Sequence, residues 1–91
     1  MQVEVRFFGL SDVLNKSQVR VTLPAGASYG ELLKNLADTY GEGLRERLLE
    51  KDGYLRGDVM LVVNERVADR LEQQVEGNAT VYVVFQMAGG R

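Results

Sequence analysis

From Val3 to Phe8 the chain alternates, with Val3, Val5 and Phe7 on one side and Glu4, Arg6 and Phe8 on the other. That is the period of a strand buried on one face. After a polar, turn-rich stretch from Gly9 to Ser17, alternation resumes from Gln18 to Leu23, placing Val19, Val21 and Leu23 inward and Arg20 and Thr22 outward. The two segments predict a hairpin. Pro24, the only proline, ends the second strand because it has no backbone donor for a ladder. The period then becomes helical. Ser28 with Glu31 forms a capping box, and Leu32, Leu33, Leu36, Ala37 and Tyr40 make one apolar stripe, while Lys34, Asn35, Asp38 and Thr39 face solvent. Gly41 marks the stop. Leu44, Leu48 and Leu49 predict a shorter second helix between Glu42 and Lys51, ended by Asp52-Gly53.

Strand patterning returns in the second half. Residues Asp58 to Asn64 are apolar on both sides, with Val59, Leu61 and Val63 on one face and Met60 and Val62 on the other. Such a strand needs cover on both faces or a partner protein on one. Asn64-Glu65-Arg66 reads as a turn into a short strand at Val67, with Leu71 and Val75 as core anchors in an irregular segment. Gly77-Asn78 turns the chain into a last strand, Thr80 to Gln86, where Val81, Val83 and Phe85 alternate with Tyr82, Val84 and Gln86. These elements predict an α+β domain: a mixed sheet of four to five strands, covered on one face by one long helix and one short helix. One apolar stripe covers one face only. If the odd-numbered side chains of the first strand meet the helix, then Phe8, Met60, Val62, Tyr82 and Val84 point to the other face. Scattered surface apolars are ordinary, but a cluster on an uncovered face is a docking surface.

Composition narrows the chemistry. The chain has 91 residues, room for one domain, and contains neither Cys nor His. Disulfides, thiolate nucleophiles and the commonest general base and zinc ligand are therefore excluded. No glycine-rich phosphate loop or dinucleotide fingerprint occurs, and Asp52-Gly53 with Asp58 does not have the ligand spacing of a calcium loop. Glu46 and Glu50 share a face if their segment is helical, and there they solvate it. Net charge is -2 with the signs interspersed, which argues against nucleic acid as a partner. Arg6 and Arg20 could lie side by side as a small basic spot on an otherwise ordinary solvated face. The N-terminus, MQVEVRFFGL, lacks the basic and apolar regions of a signal peptide, and no window approaches a membrane span, so a cytoplasmic protein is expected.

Glycine is the unusual residue. Two of the 10 lie in the last three positions, after the last strand has ended. Residues Met87 to Arg91 have nothing left to pair with; extended, they reach roughly 16 Å, and two residues without Cβ can pass a channel that any side chain would block. The expected division is a domain over 1–86 and a flexible tail over 87–91.

The order of elements and this tail together resemble the β-grasp, ubiquitin-like proteins, and more closely the sulfur carriers that include the small subunit of molybdopterin synthase and the thiamine-pathway carrier. The resemblance covers nearly the whole chain. It rests on VRFFG at Val5 to Gly9, the run from Pro24 to Leu33 with Gly26, Ser28 and Glu31, VVNER at Val62 to Arg66, EGN at Glu76 to Asn78, and AGG at Ala88 to Gly90. It implies a protein co-substrate without catalytic residues or bound cofactor of its own. An E1-like enzyme would use ATP to adenylate the Gly90 carboxylate, and a sulfur donor would convert it to a thiocarboxylate that supplies sulfur to molybdopterin, tungstopterin, thiamine or amino-acid synthesis. Ala88, Gly89 and Gly90 would be read by the partner, and Phe8, Met60, Val62, Tyr82 and Val84 would dock on it. A sulfur-accepting enzyme or large synthase subunit would be a second partner. Arg91 departs from the pattern: it caps the diglycine, so a processing peptidase must remove it first. The alternatives are a ubiquitin-like modifier that forms isopeptide bonds with target lysines and a noncovalent β-grasp interaction module.

Overall fold

A computed structural model of the chain describes residues 1–9, 17–68 and 70–85. In order, these form β1 (Gln2–Phe8), β2 (Gln18–Thr22), α1 (Tyr29–Tyr40), α2 (Glu42–Leu48), β3 (Val59–Val63), β4 (Arg66–Val67) and β5 (Thr80–Phe85). The strands make one sheet in the order β2-β1-β5-β3-β4. The pair β1 and β5 is parallel and the other neighbours are antiparallel, so the sheet is mixed, as expected. Both helices lie on one face.

The alternation of the sequence sets which face that is. Val3, Val5, Leu61, Val81 and Val83 are fully buried, together with Leu32, Leu33 and Leu36 of α1 and Leu44 and Leu48 of α2. Residues two apart on a strand share a face, so each inward set comes with an outward set that the helices cannot reach. Tyr29 and Ala27 join the core without having been read as members of the stripe.

The start of α1 is fully satisfied. The Ser28 hydroxyl accepts from the Glu31 amide at 3.2 Å, and the Glu31 carboxylate accepts from the Ser28 amide at 2.9 Å. This is the predicted box, worth about 1 kcal/mol. The Tyr29 and Gly30 amides donate to the carbonyls of Gln73 and Leu71 at 3.0 and 2.8 Å. The irregular segment after β4 thus caps α1. Gly30 allows that approach, since a Cβ there would lie 3.3 Å from the Leu71 carbonyl oxygen.

Several ends differ from expectation. The second helix stops at Leu48, not near Lys51, because Leu49 is extended and forms a bridge with Leu55. Glu50 therefore lies beyond the helix, and the shared face with Glu46 does not form. The second strand ends at Thr22, yet Leu23 continues the pairing by exchanging hydrogen bonds with Met1. Phe85, expected inward, is half-buried at the margin of the core.

Candidate functional site

Each strand places its outward residues in lateral rows on the uncovered face, fixed by register. One row runs Phe8, Val84, Met60 across β1, β5 and β3. The next runs Arg6, Tyr82, Val62, Val67 across β1, β5, β3 and β4. A third joins Arg20, Glu4 and Thr80. The face is graded: apolar at the end where β5 finishes, polar at the end where it begins.

All five residues read from the sequence as a docking set are brought together here. Met60, Val62, Tyr82 and Val84 are half-buried and Phe8 is 51% exposed. The Phe8 and Tyr82 rings stack with centroids 5.9 Å apart and planes inclined by 23°. Their contact holds the two aromatic residues as one unit. Val67, 56% exposed and opposite Val62, extends the apolar row and was missed. The signal for it was present in the two-residue turn at Asn64-Glu65, which sets Val67 across from Val62.

Arg6 and Arg20 lie on an ordinary solvated face and form no separate basic spot. Register places Arg20 opposite Glu4 and Arg6 opposite Gln18. The Arg6 guanidinium donates to Glu4 at 2.7 Å, and this hydrogen bond, followed by the carboxylate's charge, holds Arg6 above its ordinary pKa. A pair this exposed leaves the polar end of the face solvated.

The junction with the tail is built by residues that sequence reasoning did not single out for it. Gly9 follows β1 with a φ of +94°, and a Cβ there would lie 3.1 Å from the Phe85 Cβ. From the α2 side, the Arg47 guanidinium lies 5.8 Å from the centre of the Phe85 ring. Ala88, Gly89, Gly90 and Arg91, the predicted recognition and reaction segment, lie outside the described residues.

Two sequence motifs meet at the opposite end. Asn64 of VVNER donates to Glu76 of EGN at 2.7 Å, tying the β3-β4 turn to the turn before β5. Near it the Tyr29 hydroxyl is pushed above its ordinary pKa, first by desolvation and then by the charge of Glu76. Among the described residues no group of three His, Cys, Asp or Glu is placed to hold a metal ion, and no helix is long and apolar enough to cross a membrane.

No family model and no curated protein sequence matches the chain. Solved structures do. SAMP1 from Haloferax volcanii is 23% identical with a TM-score of 0.86, over 99% of this chain and 100% of that one. A chain of the BexX/CysO complex from Amycolatopsis orientalis is 22% identical with a TM-score of 0.75, over 97% and 99%. A chain of the complex of subunits 1 and 2 of the molybdopterin-converting factor from Helicobacter pylori is 24% identical with a TM-score of 0.58, over 99% and 100%. The likeness spans the whole chain in each case, and the resemblance read from the motifs is borne out in the architecture: the protein has the ubiquitin-like β-grasp fold that these small proteins share.

Proposed function

We propose that this protein is a sulfur carrier whose reactive group is the carboxylate of Gly90, freed by removal of Arg91. The observation that carries the reading is the place of the apolar rows on the sheet. The apolar rows lie where β5 ends, and Gly90 follows Val84 by only six residues in the chain. A partner seated on Phe8, Val84, Met60, Tyr82 and Val62 would therefore hold the domain with its terminal segment beside the partner's own active site. Two of the similar structures, the BexX/CysO and molybdopterin-converting-factor complexes, are assemblies with a partner protein, which supports a partner for this chain.

The chemistry follows from the carboxylate. It is a poor electrophile at neutral pH. Attack of its oxygen on the α-phosphate of ATP, with loss of pyrophosphate, gives an acyl adenylate with a good leaving group. Hydrosulfide or its enzyme-bound equivalent then adds to the carbonyl carbon and AMP departs, leaving a thiocarboxylate. Its sulfur is a soft nucleophile that attacks the acceptor, and hydrolysis restores the carboxylate. The adenylating enzyme would bind the ATP, and the acceptor enzyme would supply the remaining acid-base chemistry. The described residues of the carrier contribute placement. A modifier reading uses the same acyl adenylate with a lysine amine as nucleophile, and the similarity to a protein named as a small archaeal modifier keeps it as the second reading.

Intact-mass spectrometry tests the proposal. Incubation with the adenylating enzyme, ATP and a sulfur source should first show loss of Arg91 when peptidase is present. An increase of about 16 Da should follow as sulfur replaces oxygen, by the stoichiometry of the exchange. A chain ending at Gly90 that never acquires that mass refutes the carrier reading. Transfer of the chain to lysines under the same conditions would establish the modifier instead.

A further inference from the structure

We infer that Arg47, acting through Phe85, is a positioning residue that fixes the direction in which the chain leaves the sheet toward Gly90. The geometry stands on the contacts below, and its functional consequence rests on the carrier reading above.

The platform is α2. Leu44 and Leu48 anchor its inner side with no exposure, and Arg45 on its outer side bonds Asp38 of α1 at 2.8 Å and Glu42 at 3.0 Å. With both sides held, α2 presents Arg47 to the end of β5, its guanidinium carbon 5.8 Å from the Phe85 ring centre. A cation at that distance from an aromatic ring is attracted by the ring quadrupole. Phe85 is approached from the other side by Gly9 at the end of β1. There a Cβ would come within 3.1 Å of the Phe85 Cβ and 3.4 Å of its carbonyl oxygen, and the positive φ itself favours glycine. The last residue of β5 is thus closely approached by the backbone of Gly9 and held at its ring from α2.

A strand end at a chain terminus frays unless it is tied down. Here the tie lies one residue before the segment that carries the proposed reactive carboxyl. For a partner already seated on the sheet face, delivery of that carboxyl is an intramolecular event. Its frequency depends on how narrowly the root of the arm is aimed. Loosening the root lowers the rate of adenylation within the complex and leaves the docking contacts untouched. Loss of one part-exposed cation–π contact corresponds to about a two- to five-fold effect.

The experiment compares the full chain with Arg47→Ala and Arg47→Lys. Amide hydrogen exchange of Phe85 in the isolated protein should accelerate by about two- to five-fold in Arg47→Ala. Val81 and Val83 should be unchanged, and Arg47→Lys, which keeps a cation near the ring, should recover part of the protection. With chains ending at Gly90, the single-turnover adenylation rate should fall by the same factor while the Kd for the adenylating enzyme stays within a factor of about 1.5. Unchanged exchange at Phe85 overturns the inference. Faster exchange with an unchanged adenylation rate overturns the positioning role. If even the wild-type chain is never adenylated while Phe85 exchange responds to Arg47, the carrier reading fails and the hold of Arg47 on the strand end stands.

Discussion

Phe8→Ala tests the outer face most directly. The side chain is 51% exposed and lies in the row nearest the end of β5. A phenylalanine presents about 200 Å² in all, so about 100 Å² of Phe8 remains for a partner to cover. At about 25 cal/mol per Å² that surface is worth about 2.5 kcal/mol, a rise of roughly 70-fold in Kd. The stack on Tyr82 exists before and after docking and cancels from the binding difference. It does not cancel from folding: losing the stack and half of the ring's burial should cost about 1 to 2 kcal/mol. Titration calorimetry against the adenylating enzyme at 25 °C, with circular dichroism confirming the folded state, separates the two effects. A natively folded Phe8→Ala whose Kd stays within about three-fold of wild type, far short of the effect expected of an anchor, would falsify the docking assignment. Val83, one position away on β5 and fully buried, provides the converse: Val83→Ala should lower stability and leave the affinity of the folded fraction unchanged.

The remaining predictions concern the fold that carries the face. Glu65 has a φ of 66° and Asn64 one of 52° in the turn joining β3 to β4, where two positive values favour glycine at the second position. Relief of left-handed strain outweighs the added chain entropy, so Glu65→Gly should stabilise the domain by about 0.5 to 1 kcal/mol. A denaturant midpoint that falls would refute this. Tyr29 is held above its ordinary pKa by burial and by Glu76. Its neutral form is favoured in the folded state, so its contribution is complete below about pH 10 and is lost as pH rises through the higher folded value. The stability difference between wild type and Tyr29→Phe, measured by denaturation between about pH 8 and 11, should therefore drift against the wild type at the alkaline end. A pH-independent difference counts against it.

Much of this architecture was legible because its signals are local. Period-two runs placed Val3, Val5, Val81 and Val83 inward, and the outward set of Phe8, Tyr82, Val84, Met60 and Val62 followed once the odd-numbered residues of the first strand were taken to meet the helix. The box at Ser28 and Glu31 was visible for the same reason, since its partners are three residues apart. What escaped depends on contacts between distant segments. Whether Arg6 and Arg20 would meet stayed open in the sequence because alternation gives the face of a residue and not its partner; the hairpin register sets Glu4 opposite Arg20. Tyr29 falls outside the apolar stripe read for the helix, and the segment from Leu71 to Val75, bonded to its start, helps make it core. Phe85 was read as an ordinary inward residue, and nothing near it in the chain announces Arg47 or Gly9.

One structural economy explains how so small a chain can keep both a core and an apolar outer face. A five-stranded sheet has two faces, and the two helices cover one of them. On β3 and β5 the uncovered positions are filled by Met60, Val62, Tyr82 and Val84, although polar residues would have served solubility better. Apolar residues there add little to the core, because the buried positions are already occupied by Leu61, Val63, Val81 and Val83. The row through Glu4 and Thr80 is polar and the rows through Tyr82 and Val84 are not, so the gradient runs along β5 toward the chain's end. A surface that served only to stack copies of the chain would have no reason to follow that direction. Under the carrier reading proposed above, a partner seated on these rows would lie beside the end of β5, where Arg47 and Gly9 approach Phe85.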